Sequence, residues 1–235
     1  MRDIVEGFRQ AWGLIAGGDA EFWGIVLLSL QVSGLSVAIG AAVGVPAGAL
    51  LALGRFRGRQ LLLNAVYTLM GLPPVVAGLV IYLLFSHSGP LGFLHWLFTP
   101  AAMVVAQTCL AAPIITGLTA VAVGSLDDNV RLTALGLGAS RWQVLVAMIS
   151  EARYAIVGAL VSGLGRAMAE VGAVMMVGGN IRWETRVMTT AIVLQTGQGN
   201  YSMAIALGLV LLGVAFVLNT GMLVLQRAGE GVRRV

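Results

Sequence analysis

The chain has 235 residues, of which 58% are hydrophobic and only 10% charged, and its mean hydropathy is +0.93. Soluble domains carry about 25% charged residues, so composition alone places this chain in the membrane class. It contains no lysine, and its formal net charge of +4 rests on arginine. That excludes a Walker A nucleotide site, which needs a lysine on the phosphates.

Residues 1–24 mix apolar side chains with Arg2, Asp3, Glu6, Arg9, Asp19 and Glu21. Four acids ahead of the first apolar run do not fit a cleavable signal peptide. The segment reads as an amphipathic helix lying in the membrane interface.

Five apolar runs follow, at 25–53, 61–85, 100–123, 155–178 and 201–225. Each is long enough to span a bilayer as a helix, which takes about 20 residues. The expected fold is an all-α integral membrane domain of five transmembrane helices over 25–225, ending in a tail at 226–235. No loop is long enough for a second folded domain. No internal repeat is visible, which argues against the transporters built from inverted repeats.

Five spans put the two ends on opposite sides. Loop 54–60, loop 124–154 and the tail hold nine arginines: Arg55, Arg57, Arg59, Arg131, Arg141, Arg153, Arg227, Arg233 and Arg234. The other side holds Arg2, Arg9, Arg182 and Arg186. Nine against four puts the first set in the cytoplasm and the N-terminus outside. The basic balance is thus a topology signal, not a nucleic-acid surface.

Within the first span, Gly40, Gly44 and Gly48 recur at i, i+4 and let a neighbouring helix approach closely. The second span contains Pro73 and Pro74, which remove backbone donors and break the helix. Broken backbone at membrane depth is either a packed kink or lines a wet cavity. His87 and His95 share one loop without neighbouring acids and read as surface residues rather than metal ligands. The single cysteine, Cys109, excludes an intrachain disulfide. Gln107 and Asn219 fall mid-span, where interhelical hydrogen bonds are the ordinary role.

Loop 124–154 is the unusual one. Leu132, Leu135, Ala139 and Trp142 recur at helical spacing and form an apolar stripe. "SLDD" (125–128) fits a helix start with Ser125 as cap, Gly136 and Gly138 interrupt the helix, and Ser140 can cap a second one from Arg141. The segment reads as helix, glycine turn, helix on the cytoplasmic side. Its apolar stripe has no bilayer to enter, so it either packs on its own chain or docks a protein partner.

In "GRAMAEVGAVMMVGGNIRWETRVMTTAI" (165–192), Arg166 and Glu170 stand i, i+4 and would share a helix face as an ion pair. Charges at mid-bilayer cost about 2.5–3.5 kcal/mol each, so the pair should face the bundle interior or a transport path. Asn180, Thr185, Thr189 and Thr190 add polar groups near the outer end.

"ALGLGASRWQVLVAMISEAR" (134–153) resembles the cytoplasmic EAA loop of ABC-importer permeases. With Gly138 at the family's glycine, Leu132 and Thr133 replace the Glu-Ala start and only Ala134 matches. Ser150 and Glu151 stand where the family has Leu-Pro. The likeness is carried by Gly138, Ala139, Ser140, Arg141 and Trp142. The second span looks like the Leu-Pro-Pro span of oxyanion permeases, and Arg166, Glu170, Gly172 and Ala173 resemble the molybdate/tungstate pattern of Arg, three residues, Glu-x-Gly-Ala. The form "VGGNIRWETRVMTTAI" is closest to tungstate-type permeases. The likeness covers roughly 22–225.

The resemblance implies a type I ABC-importer permease for an oxyanion, tungstate ahead of molybdate, vanadate or sulfate. It implies a homodimer, a cytoplasmic ATPase dimer docked on Ala134 and Gly138–Trp142, and an extracytoplasmic binding protein. It implies no cofactor, no metal and no catalytic residue in this chain. Pro73, Pro74, Gln107, Arg166, Glu170, Asn180, Thr185, Thr189 and Thr190 become candidates for the path or gate. A secondary transporter or channel is the alternative, against which the cytosolic helix pair argues. An intramembrane enzyme has no supporting motif: H-E-x-x-H, G-x-S-x-G and paired intramembrane aspartates are all missing.

Overall fold

The structure is a computed structural model that describes residues 2–233, with side-chain surroundings for 8–226. The side chains of Arg2, Asp3, Glu6, Arg227, Arg233 and Arg234, which enter the reading of the two ends, lie outside the described residues. Eleven α-helices are described: α1 (Arg2–Gly17), α2 (Ala20–Leu53), α3 (Arg59–Met70), α4 (Pro74–Phe85), α5 (Pro100–Gly124), α6 (Asp128–Gly136), α7 (Arg141–Glu151), α8 (Arg153–Met168), α9 (Gly172–Gly178), α10 (Met188–Gly197) and α11 (Tyr201–Arg233). Among the described residues a single 3-10 turn occupies Gly92–Leu94.

Helices α2, α5 and α11 are each long and apolar enough to cross a membrane, and the count rises to five if the broken pairs α3/α4 and α7/α8 each form one span. The second apolar run breaks at Leu72–Pro73, as its prolines require, because Pro at N1 of α4 starts a helix and cannot continue one.

The fourth run differs from the expectation. A continuous helix over 155–178 is not formed: α8 stops at Met168 and α9 begins at Gly172. Two side chains account for the break. Glu170 accepts the Ala173 amide on its carboxylate at 2.9 Å, and its carbonyl accepts the Thr189 hydroxyl at 2.7 Å. Both interactions replace bonds that a continuing helix would make.

The chain packs as two compact units, and the divide falls inside α2, α5, α8 and α11. The first comprises 1–36, 73–107 and 167–218. In it α4 lies directly on α9, where a Cβ on Gly78 would come within 2.7 Å of the Ala173 Cα. Phe22, Met103, Val174, Val177, Met188 and Leu207 are fully buried. The Phe98 amide donates to the Val177 carbonyl at 2.8 Å, and Tyr82 meets Phe98 edge-on.

The second unit comprises 37–72, 108–166 and 219–235. Gly40, Gly44 and Gly48 face α5, and a Cβ on Gly48 would stand 2.4 Å from the Thr116 carbonyl oxygen. The glycine spacing is therefore an intrachain packing seam. Val144, Leu145 and Met148 of α7 pack with Ala49, Ala122, Val123 and Ile156. Arg59 caps the end of α2, its Nε donating to the Leu51 carbonyl at 2.6 Å and Nη2 to that of Ala52 at 3.3 Å.

Candidate functional site: the capped hairpin and the broken polar spans

The hairpin of α6 and α7 is built by local chemistry. Asp127, not Ser125, caps α6: its carboxylate accepts the Asn129 amide at 2.9 Å. Ser125 instead donates its hydroxyl to the Ala122 carbonyl within the last turn of α5. Gly138 turns the chain at φ +81, a left-handed conformation that disfavours any residue with a Cβ. Ser140 and Gln143 then form a reciprocal capping box at the start of α7.

Burial divides the hairpin into an anchor and a free face. Val144, Leu145 and Met148 hold α7 to its own unit, whereas α6 buries no residue at all. Leu132, Leu135, Leu137 and Trp142 are 60%, 44%, 85% and 67% exposed. Arg141 lies beside them, also exposed, while Ala134 and Ala139 are half-buried against the hairpin's own packing. Four large apolar side chains are thus left in the open on a capped, anchored hairpin.

The polar candidates of the first unit are drawn together by its loops. Thr185, Thr189, Thr190 and Gln107 are all buried. Thr185 donates to the Gly178 carbonyl and accepts the Ile181 amide at 2.8 Å. Thr190 donates to the Val187 carbonyl at 3.1 Å and accepts its amide at 3.2 Å. Gln107 donates to the Ala167 carbonyl at 3.0 Å. With Thr189 bound to Glu170, these donors are all engaged on backbone carbonyls at helix ends and in loops. Gln107 and Thr189 also line a cavity of about 10 Å³ with Ser29, Ser33, Met168, Val187 and Met188. That is room for about one water and too little for a tetrahedral oxyanion.

Arg166 and Glu170 do not share a helix, because α8 ends between them. Glu170 is 5% exposed and caps α9. Arg166 donates from Nη2 to the Leu72 carbonyl at 3.2 Å, which the Pro73 break leaves without a helical amide, and its buried Nε has no hydrogen-bond partner. Pro73 and Pro74 thus serve as the breakers whose freed carbonyl Arg166 meets.

The sequence reading missed one cluster. Glu21 binds Arg182 through Nε at 2.9 Å and through Nη2, and it also binds Arg186 through Nη1 at 3.3 Å. Asn180 and Trp183 take left-handed backbone in the same loop, at φ 52 and φ 70. The hydrogen bond to Glu21, and then its charge, hold the Arg182 guanidinium further above its ordinary pKa. The opposite charges were legible in the sequence, but their partners lie 161 and 165 positions apart.

The architecture is similar to a bacterial alginate ABC transporter solved in complex with an alginate pentasaccharide-bound periplasmic protein, at TM-score 0.74 and 19% identity over 99% of this chain and 89% of that one. It is also similar to the inward-facing MetNI methionine ABC transporter, at TM-score 0.70 and 17% identity over 93% of this chain and 96% of that one. The fold is that of a type I ABC-importer permease, a multi-pass membrane subunit.

Residues 44–229 match the family described as binding-protein-dependent transport system inner membrane component, and the chain belongs to that family. Among its relatives, the tungstate uptake system permease protein of Peptoclostridium acidaminophilum is 41% identical over 96% of this chain and 99% of that protein. The tungstate uptake permease of Campylobacter jejuni is 35% identical over 92% and 90%. A putative molybdenum transport permease of Bacillus subtilis is 28% identical over 85% and 91%.

Proposed function

We propose that this chain is the permease subunit of an ABC importer that carries tungstate into the cytoplasm. The observation that carries this reading is the end-to-end 41% identity with a tungstate uptake permease. The tungstate-type form of residues 177–192 supports it.

In this reading two copies of the chain form the path, with N-termini outside and C-termini in the cytoplasm. An ATPase dimer supplies the energy, since the chain lacks a nucleotide site of its own. It docks on Ala134, Gly138, Ala139, Ser140, Arg141 and Trp142, where the hairpin leaves its apolar face uncovered. A binding protein delivers the anion from outside. ATP-driven closure of the ATPases moves the two hairpins and, through the anchored α7, the spans behind them. Pro73, Pro74, Gln107, Glu170, Asn180, Thr185, Thr189 and Thr190 shape the broken segments along the path, and Arg166 stands at their margin. Residues 1–24 lie in the outer interface.

The test is uptake by the complete complex, reconstituted in proteoliposomes with its ATPase and binding protein. ATP-dependent accumulation of tungstate at lower concentration than molybdate, vanadate or sulfate is expected. Accumulation without ATP, or a preference for a different anion, overturns the reading in its mechanism or its substrate respectively.

A further inference from the structure

Arg166 sits in the last turn of α8, inside an apolar segment, where an uncompensated charge is expensive. Both ion pairs seen among the described residues are made by Glu21, and Arg166 takes part in neither. One of its nitrogens, Nη2, reaches the Leu72 carbonyl, and its Nε is buried without an acceptor. A buried guanidinium N–H left unmade carries the full desolvation cost of that group.

Its surroundings on α8 are open and small. Ala155 and Ser162 stand seven apart, and Arg166 follows Ser162 by four, so the three share one helix face. Ala155, Ser162 and the adjoining Gly165 are exposed, and a Cβ on Gly165 would meet nothing within 4 Å. An exposed apolar face is built differently in this same chain: on α11 the exposed residues include Leu212, Phe216 and Val217 at 70%, 73% and 68%. The side chains beside Arg166 are instead those that leave room.

Of the other polar groups proposed for the path, Gln107, Thr185, Thr189 and Thr190 already donate to backbone carbonyls, and the buried Asn180 Oδ1, which has no partner, can only accept. From this contrast we infer that Arg166 is the residue that meets the anion: its guanidinium, tethered by the Leu72 carbonyl, takes a tetrahedral oxyanion on its free edge as it passes the open face of α8. A planar fork of N–H groups suits such an anion, and each bond to it is charge-assisted. The Leu72 carbonyl is the tether that positions the fork, and Ser162 and Gly165 provide the clearance. This inference rests on the oxyanion-importer reading.

The test uses the whole reconstituted complex with Arg166→Gln and Arg166→Lys. Gln keeps a donor for the Leu72 carbonyl and loses the charge, whereas Lys keeps both. The measured quantity is tungstate, molybdate and sulfate imported per ATP hydrolysed, alongside the melting temperature of each complex. Arg166→Gln is expected to lower oxyanion import per ATP about tenfold or more at an unchanged melting temperature, and Arg166→Lys to recover most of it. Wild-type import ratios in Arg166→Gln overturn the anion contact. So does a melting temperature that falls with import in Arg166→Gln and returns in Arg166→Lys, which is the mark of a purely structural tether. If the wild-type complex imports no oxyanion at all, the function reading fails first and takes the contact with it.

Discussion

The Ser140 hydroxyl accepts the Gln143 amide at 3.3 Å while the Gln143 side chain accepts the Ser140 amide at 2.7 Å, and this reciprocal cap fixes where α7 begins. Three residues upstream the chain is free and apolar, and four residues downstream it is anchored. The cap is therefore the joint between an uncovered apolar face and a helix packed into its own unit.

Disrupting that joint should uncouple transport without preventing insertion. Trp142→Asp places a charge on the exposed apolar face, and Gly138→Val forces a β-branched residue into a left-handed turn at a cost of about 1–3 kcal/mol. Both variants are expected to reach the membrane yet to retain less ATPase on co-purification and to import several-fold less. Full ATPase retention with normal import in both would remove the docking role.

The α2–α5 seam gives a paired steric prediction within one helix. Gly48→Ala drives a Cβ to 2.4 Å from the Thr116 carbonyl, and a rigid backbone atom cannot move aside as a side-chain tip would. A loss of about 1–3 kcal/mol is expected, read as a lower melting temperature in detergent. Gly24→Ala, where a Cβ meets nothing within 4 Å, should be neutral or slightly stabilising through helix propensity. Equal shifts for the two would contradict the seam.

Thr185 links two backbone groups that have no other bond. Thr185→Val keeps the shape and leaves the Gly178 carbonyl and the Ile181 amide without the hydroxyl, so a loss of about 2–4 kcal/mol is expected. Hydrogen exchange at Ile181 should accelerate along with the lower melting temperature. Unchanged protection at that amide would show that the hydroxyl is not its partner.

The two arginines on Glu21 should not be equivalent. The Arg182 side chain is 59% exposed and that of Arg186 only 14%. Exposed pairs contribute little because water and salt screen them. Arg182→Ala is therefore expected to change the melting temperature slightly and in a salt-dependent way, and Arg186→Ala to lower it more. The reverse order would mean that the loop is held chiefly from its surface.

A reporter at residue 1 should be active only outside the cytoplasm, and one at residue 235 only inside. A cytoplasmic signal from residue 1 would reverse the side assigned to the hairpin.

Much of the protein was determined by the sequence alone, because membrane and helix signals are local. An unbroken apolar run declares its own solvent, a glycine followed by Ala-Ser-Arg-Trp-Gln declares a turn and a cap, and paired prolines declare a break. The tertiary structure decided what depends on partners far along the chain. Spacing at i, i+4 suggested that Arg166 and Glu170 pair, but Thr189 holds the Glu170 carbonyl and ends that helix, an effect arising 19 positions away. The same distance problem hid Glu21 and its arginines. The Thr185, Thr189, Thr190 and Gln107 side chains, which look available in a sequence, turn out to be bound to backbone carbonyls at helix ends and in loops, since a polar group out of water must find a partner. Folding engages those polar groups on the backbone and leaves the buried Nε of Arg166, like that of Arg186, with a donor still open.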